Sequence, residues 1–593
     1  MRKILLILLA LSLLLTGCEK NDVEPELPSS NTDVWQYNIL YRNFLTKKTK
    51  GAGWQYTNKT ITFRQEIIPF YKDTLDKLRT LSTENMDRER RLNRDIFEDY
   101  LIKEIQGAEF IPYAYQINQY DGIPIELPGL LAQSYPIYDS DYARSYIDIL
   151  SGIPETLKIV EDDIKTQFEL GIAPPSFVVS SFADTLSQFI SVKPIDNILY
   201  TSCVEKTAEL DEAVDIQEDV LSIITEEVYP AYQDLYQFLL DNQEKIEELS
   251  VTAGVWQLPQ GDEYYAYLAR LHTTTNLTPQ EIHDIGLREV ERIHKVIQEK
   301  LQEMGLGDRD PVAYLRELSN KDLITDEEEI LNQYRLFITK AKSFLPKFFS
   351  RVPDAPIEIR AVPTFREATY STAYVPVYED QPGILMLGLS SPHAKSDIEA
   401  VTYHETIPGH HLQNAWLLEF KIPAFRDWIT HTAYKEGWAL YAERLMYENG
   451  CYSDAYSELG YLHSDLFRAA RLVIDTGIHY KRWTRDEAID YLWEVAGLKR
   501  DSEIDRYIVW PGQALAYKIG ELQIFQLREM AREQLGEKFD IKEFHDVILS
   551  TGSVPLNLLE QQVILYIEEK QNTPEALLPT APCFFVSPSP KYA

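Results

Sequence analysis

The residues most able to do chemistry stand together in the segment HETIPGHH, residues 404–411. Two histidines four residues apart on a helix face the same side, because four steps of 100° nearly complete a turn, and such a pair can bind zinc. The glutamate after the first histidine then acts as the general base on the attacking water. Here Pro408 occupies the place of the second histidine. The segment therefore predicts a zinc site only if a nearby histidine replaces it.

Two histidines could complete the site. In an unbroken helix His411 lies about 20° from the face of His404, whereas His410 lies well away from it. Pro408 has no N–H to donate to the carbonyl of His404, and its ring would clash there, so the helix should not be unbroken. A local bulge at Pro408 and Gly409 restores the four-residue spacing. We predict His410 as the second ligand, with His411 as the alternative.

A catalytic zinc ion needs a third protein ligand, and a downstream helical stretch offers two glutamates. Glu436 follows His410 by 26 residues, which is enough for a loop and a returning helix. Glu443 lies seven residues further on the same face and is the alternative ligand, or a partner that orients one. The predicted zinc ligands are therefore His404, His410 and Glu436. Glu405 is the predicted general base. The competing interpretation is a solvated helix face that binds no metal.

Later polar residues are candidates for contacting the substrate. The oxyanion of a tetrahedral intermediate needs hydrogen-bond donors, and the candidates are His479, Tyr507 and Tyr517. A substrate carboxylate needs a cation or an amide, and the candidates are Arg471, Gln513 and Lys518. For each of the three oxyanion candidates taken alone, a satisfied structural group is the favoured interpretation. The apolar run 383–389 is a candidate edge strand for an extended peptide, or plain core.

The elements that must position these residues are mostly helical. Apolar residues recur at helical spacing in 206–250, 325–349, 454–478 and 485–496. A capping box at Thr278 and Glu281, with proline between them, begins a long helix that ends near Gly305. Segment 365–389 is rich in β-branched and aromatic residues and contains a Pro-Gly break. We therefore predict a mainly α fold with a small β hairpin or sheet beside the histidine segment.

The first residues are typical of an exported lipoprotein. Arg2 and Lys3 precede an apolar run of twelve residues, which is too short to cross a bilayer. The sequence Leu-Thr-Gly-Cys18 resembles a lipoprotein processing site, at which Cys18 is acylated after removal of a signal peptide, residues 1–17. Residues 18–32 are polar and acidic, so we predict a flexible tether between a bacterial membrane and the folded body.

Composition limits the partners and the type of metal site. The formal charge of −35 argues against binding to nucleic acid or to an anionic membrane face, so the predicted membrane contact is the lipid anchor alone. With 45% hydrophobic residues the chain can bury a substantial core. Cys203, Cys451 and Cys583 allow at most one disulfide bridge. A metal site must therefore use histidine and carboxylate ligands.

These motifs resemble the bacterial domain-of-unknown-function family 885. The resemblance rests on HETIPGHHLQ at 404–413, EGWALYAE at 436–443, DTGIH at 475–479 and PGQALAYKIG at 511–520. It extends over about 33–569. In that family the residue matching His410 is the constant one, whereas the residue matching His411 can be aromatic. The resemblance therefore favours His410 as the ligand.

Members of that family are often exported lipoproteins and are regarded as metallopeptidase-like. The resemblance implies a helical gluzincin fold around a deep cleft, similar to that of angiotensin-converting enzyme. Residues 33–270 would form one helical wall and 271–570 the zinc-bearing region, followed by a proline-rich tail at 571–593. The predicted function is zinc-dependent hydrolysis of peptide or other amide bonds. The alternatives are a non-peptide amidase or deacylase acting on acylated amino acids, and a peptide-binding lipoprotein with little catalysis.

Overall fold

The computed structural model describes residues 36–37, 40, 60–133, 135–250, 253–362, 372–378, 381–420, 426 and 429–572. Cys18, the predicted signal peptide and tether, Cys583 and the predicted tail from residue 573 lie outside these residues. Cys203 and Cys451 are both free and buried. No helix in the described ranges combines the length and apolar character needed to cross a membrane.

The chain is mainly α-helical, as predicted, and divides into two compact units between Tyr264 and Tyr265. The helices before the division are α1 (Ile61–Arg79), α2 (Arg88–Gln106), α3 (Ile123–Gln133), α4 (Ser140–Ser151), α5 (Ile153–Glu169), α6 (Ser176–Ser191), α7 (Ile198–Thr207), α8 (Ala213–Ile223), α9 (Tyr229–Asp241) and α10 (Gln243–Leu249).

The remaining helices are α11 (Gly261–Thr273), α12 (Pro279–Glu303), α13 (Pro311–Leu318), α14 (Glu327–Phe348), α15 (Lys395–Glu405), α16 (His410–Leu418), α17 (Thr432–Glu448), α18 (Ala455–His479), α19 (Arg485–Ala496), α20 (Asp501–Val509), α21 (Leu515–Leu535), α22 (Ile541–Thr551) and α23 (Leu556–Asn572). The strands are β1 (Leu323–Ile324), β2 (Ile357–Ala361), β3 (Thr372–Val375), β4 (Gly383–Leu387) and β5 (His393–Ala394).

The first unit is held by a core of apolar side chains from its helices. Tyr146 and Tyr232 are fully buried in this core, and each hydroxyl donates a 2.7 Å hydrogen bond to a backbone carbonyl. The helical pattern predicted over 206–250 is divided into α7 to α10. A π-helical turn, Ile224–Val228, joins α8 to α9. Pro230, in the first turn of α9, cannot donate a backbone hydrogen bond, which explains the wider turn at this point.

Helix α18 is the centre of the second unit, because its side chains are buried on almost every face from Ser457 to His479. Helix α12 begins with the predicted capping box and packs along α18. A Cβ at Gly286 would lie 2.8 Å from the side chains of Leu472 and Val473, so only glycine permits this close approach.

A three-stranded sheet lies beside the histidine segment, in the order β2-β4-β3. Strand β4 runs parallel to β2 and antiparallel to β3. The expectation that run 383–389 provides an open edge for a peptide is wrong, because β4 is the central strand and is paired on both sides. Leu385 and Leu387 are fully buried, so the alternative interpretation of that run as core is the correct one.

Candidate metal centre

The helix that carries His404 ends one residue later, at Glu405. Pro408 cannot continue the helix, and a Cβ at Gly409 would overlap the carbonyl oxygen of His404. A new helix, α16, begins at His410, and its first turn is fixed by a 2.9 Å hydrogen bond from the backbone N–H of His411 to the carbonyl of Thr406. The interruption is therefore a complete break between two helices, larger than the predicted local bulge.

This break brings together the three residues predicted as metal ligands. One ligand atom from each of His404, His410 and Glu436 lies within 4.8 Å of the others. The Nε2 atoms of both histidines are 3.5 Å from the same carboxylate oxygen of Glu436. The side chain of His404 is buried, whereas those of His410 and Glu436 are 13% and 19% exposed. The cluster is thus enclosed by protein on most sides and open to a small ligand.

Glu443 contacts the second ring nitrogen of His404. Its Oε1 lies 2.8 Å from Nδ1 of His404, and its Oε2 accepts a hydrogen bond from Ser464 at 3.4 Å. A carboxylate behind a histidine in this way fixes the ring and leaves Nε2 unprotonated for a metal ion. Of the two roles that the sequence left open for Glu443, the geometry fits the orienting partner.

The electrostatics of the cluster reflect its enclosed carboxylates. Burial opposes a charged His404, but hydrogen bonds with Glu436 and Glu443 outweigh it and raise the pKa of His404 to about 9. Burial likewise opposes a charged Glu436, yet the neighbouring His410 and His404 hold the pKa of Glu436 well below its usual value. His404 and Glu436 therefore each stabilise the charged form of the other.

His411 points away from the cluster. Its Nδ1 lies 2.9 Å from the hydroxyl of Tyr374, and its Nε2 lies 3.1 Å from the carbonyl of Ala355. A Cβ at Gly383 would lie 2.5 Å from Nδ1 of His411, so glycine in β4 makes room for the ring. Both nitrogens of His411 are already in use, and the alternative ligand loses its support.

Glu436 is positioned by a close crossing of helices α17 and α21. A Cβ at Gly437 would overlap the backbone of Gly520, so these two glycines let the helices touch. The next residue is Trp438, and its indole nitrogen donates a 3.0 Å hydrogen bond to the carbonyl of Pro408. The EGW motif therefore links the third ligand to the break between the histidine helices, a role that the sequence analysis missed.

Comparison with protein families matches residues 55–563 to the family described as "Bacterial protein of unknown function (DUF885)". The chain belongs to this family. The family resemblance predicted from the motifs is thereby confirmed. No curated protein matches the chain.

Two solved structures are similar to this DUF885 protein. A protein titled as a lipoprotein from Colwellia psychrerythraea is 27% identical, with a TM-score of 0.83, and the alignment covers 91% of this chain and 100% of the other. A protein titled as a lipoprotein of unknown function from Shewanella oneidensis is 17% identical, with a TM-score of 0.68, and the alignment covers 90% of this chain and 100% of the other. The second likeness concerns the fold alone.

Glu405 lies beside the cluster with its carboxylate uncommitted. It is partly exposed, and within the described ranges it forms no hydrogen bond or ion pair. Its charge nevertheless acts to raise the pKa of His404 and of Tyr374, so it lies close to both. A carboxylate in this position can accept a proton from water.

The predicted oxyanion donors lie in a different cluster of this DUF885 protein. His479 is fully buried, and its Nε2 is 2.9 Å from the carbonyl of Tyr507. Burial lowers the pKa of His479 to about 4, so the ring is neutral. The hydroxyl of Tyr507 is bonded to Arg471 and Glu503. These hydrogen bonds occupy the polar atoms of His479 and Tyr507, whereas Tyr517 is partly exposed and stacks on Arg471 at 4.4 Å.

The predicted carboxylate-binding residues differ in their surroundings. Lys518 is fully buried and pairs with Asp465 at 2.6 Å and with Glu521 at 2.8 Å. These ion pairs occupy its ammonium group. Arg471 is buried and pairs with Glu503 at 3.0 Å. Gln513 is partly exposed, and no hydrogen bond of its side chain occurs within the described residues.

Proposed function

We propose that this DUF885 protein is a zinc-dependent hydrolase of gluzincin type that cleaves peptide or other amide bonds. One observation carries the proposal: Glu405, Glu436 and Glu443 surround two histidines without an ion pair to any lysine or arginine of the described chain. Clustered buried carboxylates need a compensating cation. Two imidazoles and a carboxylate with open access are a donor set typical of catalytic zinc.

The spacing of the donors fits the same ion. Tetrahedral ligands about 2.1 Å from a common zinc ion lie roughly 3.4 Å from one another. The two separations of 3.5 Å between histidine Nε2 atoms and Glu436 match this value. His404, His410 and Glu436 would hold the ion, and Glu443 would keep His404 oriented.

The residues around the ion would have separate roles in the reaction. A zinc ion in this site would polarise the scissile carbonyl and acidify a water molecule. Glu405 would accept the proton of the attacking water and transfer it to the departing nitrogen as the C–N bond breaks. The partly exposed His410 and Glu405 would face the substrate, since the buried Glu443 side of His404 is closed by protein.

We also propose that the protein is exported and anchored to a bacterial membrane through acylated Cys18. The support is the leader sequence that precedes Cys18, together with the similarity to the Colwellia psychrerythraea protein, which is described as a lipoprotein.

The decisive experiment combines metal analysis with product analysis. We expect purified protein to carry about one zinc ion per chain and to cleave members of a mixed peptide pool. Glu405→Gln should keep the zinc ion and lose at least about 100-fold in turnover, because an amide cannot accept the proton. Glu419→Gln, an exposed carboxylate paired with Arg351, is the matched control and should be unaffected.

Two results would contradict the proposal: absence of a transition metal from protein prepared without chelators, or near-normal turnover by Glu405→Gln. Including acylated amino acids in the pool separates the predicted peptidase from the alternative amidase, because the two leave different products.

A further inference from the structure

Four arginines gather where helix α18 meets helix α20, and we call them the arginine cluster: Arg468, Arg471, Arg500 and Arg506. Arg471 and Arg506 pair with a single carboxylate, that of Glu503, at 3.0 and 3.1 Å. The guanidinium carbons of Arg471 and Arg500 lie 4.5 and 4.8 Å from the centre of the Phe467 ring. Four cations thus share one small region of the fold.

The cluster has more positive than negative charge. Arg468 and Arg500 form no ion pair within the described chain. The carboxylates that act on Arg500 are those of Glu503 and Asp397. Asp475 acts in the same way on Arg506, so four cations face three carboxylates, in a chain whose formal net charge is −35. Arg468 and Arg471 repel the charged form of Arg500. An anionic ligand would relieve this repulsion.

The cluster also contains hydrogen-bond donors without acceptors. Nε of Arg468 and Nη1 of Arg471 are buried and have no hydrogen-bond partner among the described residues. Unpaired buried donors on charged groups are costly and uncommon in folded proteins. Arg500, in contrast, is exposed to solvent. The cluster therefore combines an accessible guanidinium with unsatisfied ones behind it.

Two connections place the cluster near the metal centre. Arg468 donates to the hydroxyl of Ser464, which in turn donates to the glutamate behind His404. Asp397, which acts on Arg500, stands on α15 seven residues before His404, about 10 Å along the helix axis. An extended peptide advances about 3.3–3.6 Å per residue. The rise from Asp397 to His404 therefore equals the length of about three extended residues.

We propose that the arginine cluster binds the C-terminal carboxylate of a peptide whose scissile bond, about three residues away or fewer, lies at the metal centre. Arg468 and Arg500 would bind the carboxylate, since a guanidinium offers a planar pair of donors that matches it. The reaction consumes one water, breaks one C–N bond and releases a short C-terminal fragment with a new amine. This inference rests on the proposed hydrolase function and makes the protein a carboxypeptidase-type exopeptidase.

Binding and cleavage are measured separately, so that the two proposals can fail independently. The probes are a penta-alanine acid, the same peptide as its C-terminal amide, and an amidated peptide in which the last residue is glutamate. Calorimetry on zinc-loaded Glu405→Gln protein should show at least tenfold tighter binding of the acid than of the simple amide. Arg500→Gln and Arg468→Gln, each added to that protein, should abolish most of this preference. Arg335→Gln, an exposed arginine paired with Glu328, should retain it.

Arg500 is exposed, so Arg500→Gln should fold, and circular dichroism checks both variants. Equal binding of acid and amide would overturn the inference, as would a preference that survives both arginine substitutions. Tight binding of the glutamate amide would overturn the C-terminal assignment, because the carboxylate would then come from a side chain. A preference for the acid without cleavage by unmodified protein supports the carboxylate site and overturns the proposed hydrolysis alone.

Discussion

Two clusters of buried ionisable side chains share helix α17, and they differ in how their charges are balanced. In the metal centre, three glutamates meet two histidines and no lysine or arginine of the described chain. The second cluster, which we call the ion-pair network, comprises three cations and three anions: Lys518, Arg292, Arg444, Glu289, Asp465 and Glu521. Most side chains of both clusters are buried or partly buried, whereas charge balance belongs only to the second.

The charge balance of a buried cluster indicates whether that cluster could take a charged ligand. In the ion-pair network, the pKa of Lys518 is raised and that of Glu521 is lowered to about 2, despite burial, because each lies against opposite charges. The network is complete without any further group. In the metal centre, hydrogen bonds with Glu436 and Glu443 raise the pKa of His404 to about 9, and no lysine or arginine of the described chain pairs with these carboxylates. Under the proposed function, a divalent cation would bind in place of the proton on His404 and balance the charge of the carboxylates.

The largest expected effect comes from removing a ligand at the metal centre. His410→Ala should abolish zinc retention, because Nε2 of His410 is one of three converging donor atoms. The loss of affinity should exceed the roughly 10- to 100-fold typical of changes behind a ligand. Zinc content after dialysis measures the result. Tryptophan fluorescence checks that the variant is folded.

His411→Ala is the matched control on the adjacent residue. Both nitrogens of His411 are engaged by Tyr374 and Ala355, so zinc should stay bound and activity should fall only in part. If His411→Ala loses the metal while His410→Ala keeps it, the ligand assignment is reversed and the comparison between the clusters fails.

The parts of the site that could be predicted from the sequence depend on short-range rules. Pro408 has no N–H to donate to the carbonyl of His404, and this local rule predicted the interruption between the two histidines. The buried ion pair of Lys518 could not be predicted in this way, because its partner Asp465 lies 53 residues away on another helix. A buried, paired lysine and a substrate-binding lysine look alike in sequence.

The same distinction between local and long-range signals applies to the fold. Capping at Thr278 and helical periodicity predicted α12 and α19 almost residue by residue, since these signals are local. The position of β4 in its sheet depended on β2, a strand outside the predicted segment. An edge strand was therefore expected where the structure has a central one. Local sequence patterns predict the helices and strands. Which side of a helix or strand is exposed depends on the other elements that pack against it.

The next effect concerns stability in the ion-pair network. Lys518→Met should destabilise the fold by about 3–5 kcal/mol, because it leaves buried Asp465 and Glu521 without their shared cation. Zinc stoichiometry of the folded protein should not change. Urea unfolding followed by tryptophan fluorescence measures the free energy. Lys295→Met, at an exposed position on α12, should change it by less than about 0.5 kcal/mol. Loss of zinc from a still stable Lys518→Met protein would show that the two clusters are one site.

The smallest effect tests whether Glu443 binds the metal or only orients His404. Glu443→Gln keeps an acceptor for Nδ1 of His404 but removes the charge that stabilises the ring behind the ion. Zinc affinity should fall about 10- to 100-fold, with one ion per chain still bound at saturation. Competition with a chromophoric chelator measures both quantities. Glu448→Gln is the control, because Glu448 lies on the same helix but pairs with Arg444 and Arg528. Unchanged affinity in Glu443→Gln would mean that the carboxylate is structural, like those of the ion-pair network. Complete loss of zinc would instead make Glu443 a ligand, because only a direct metal bond is strong enough to produce that result.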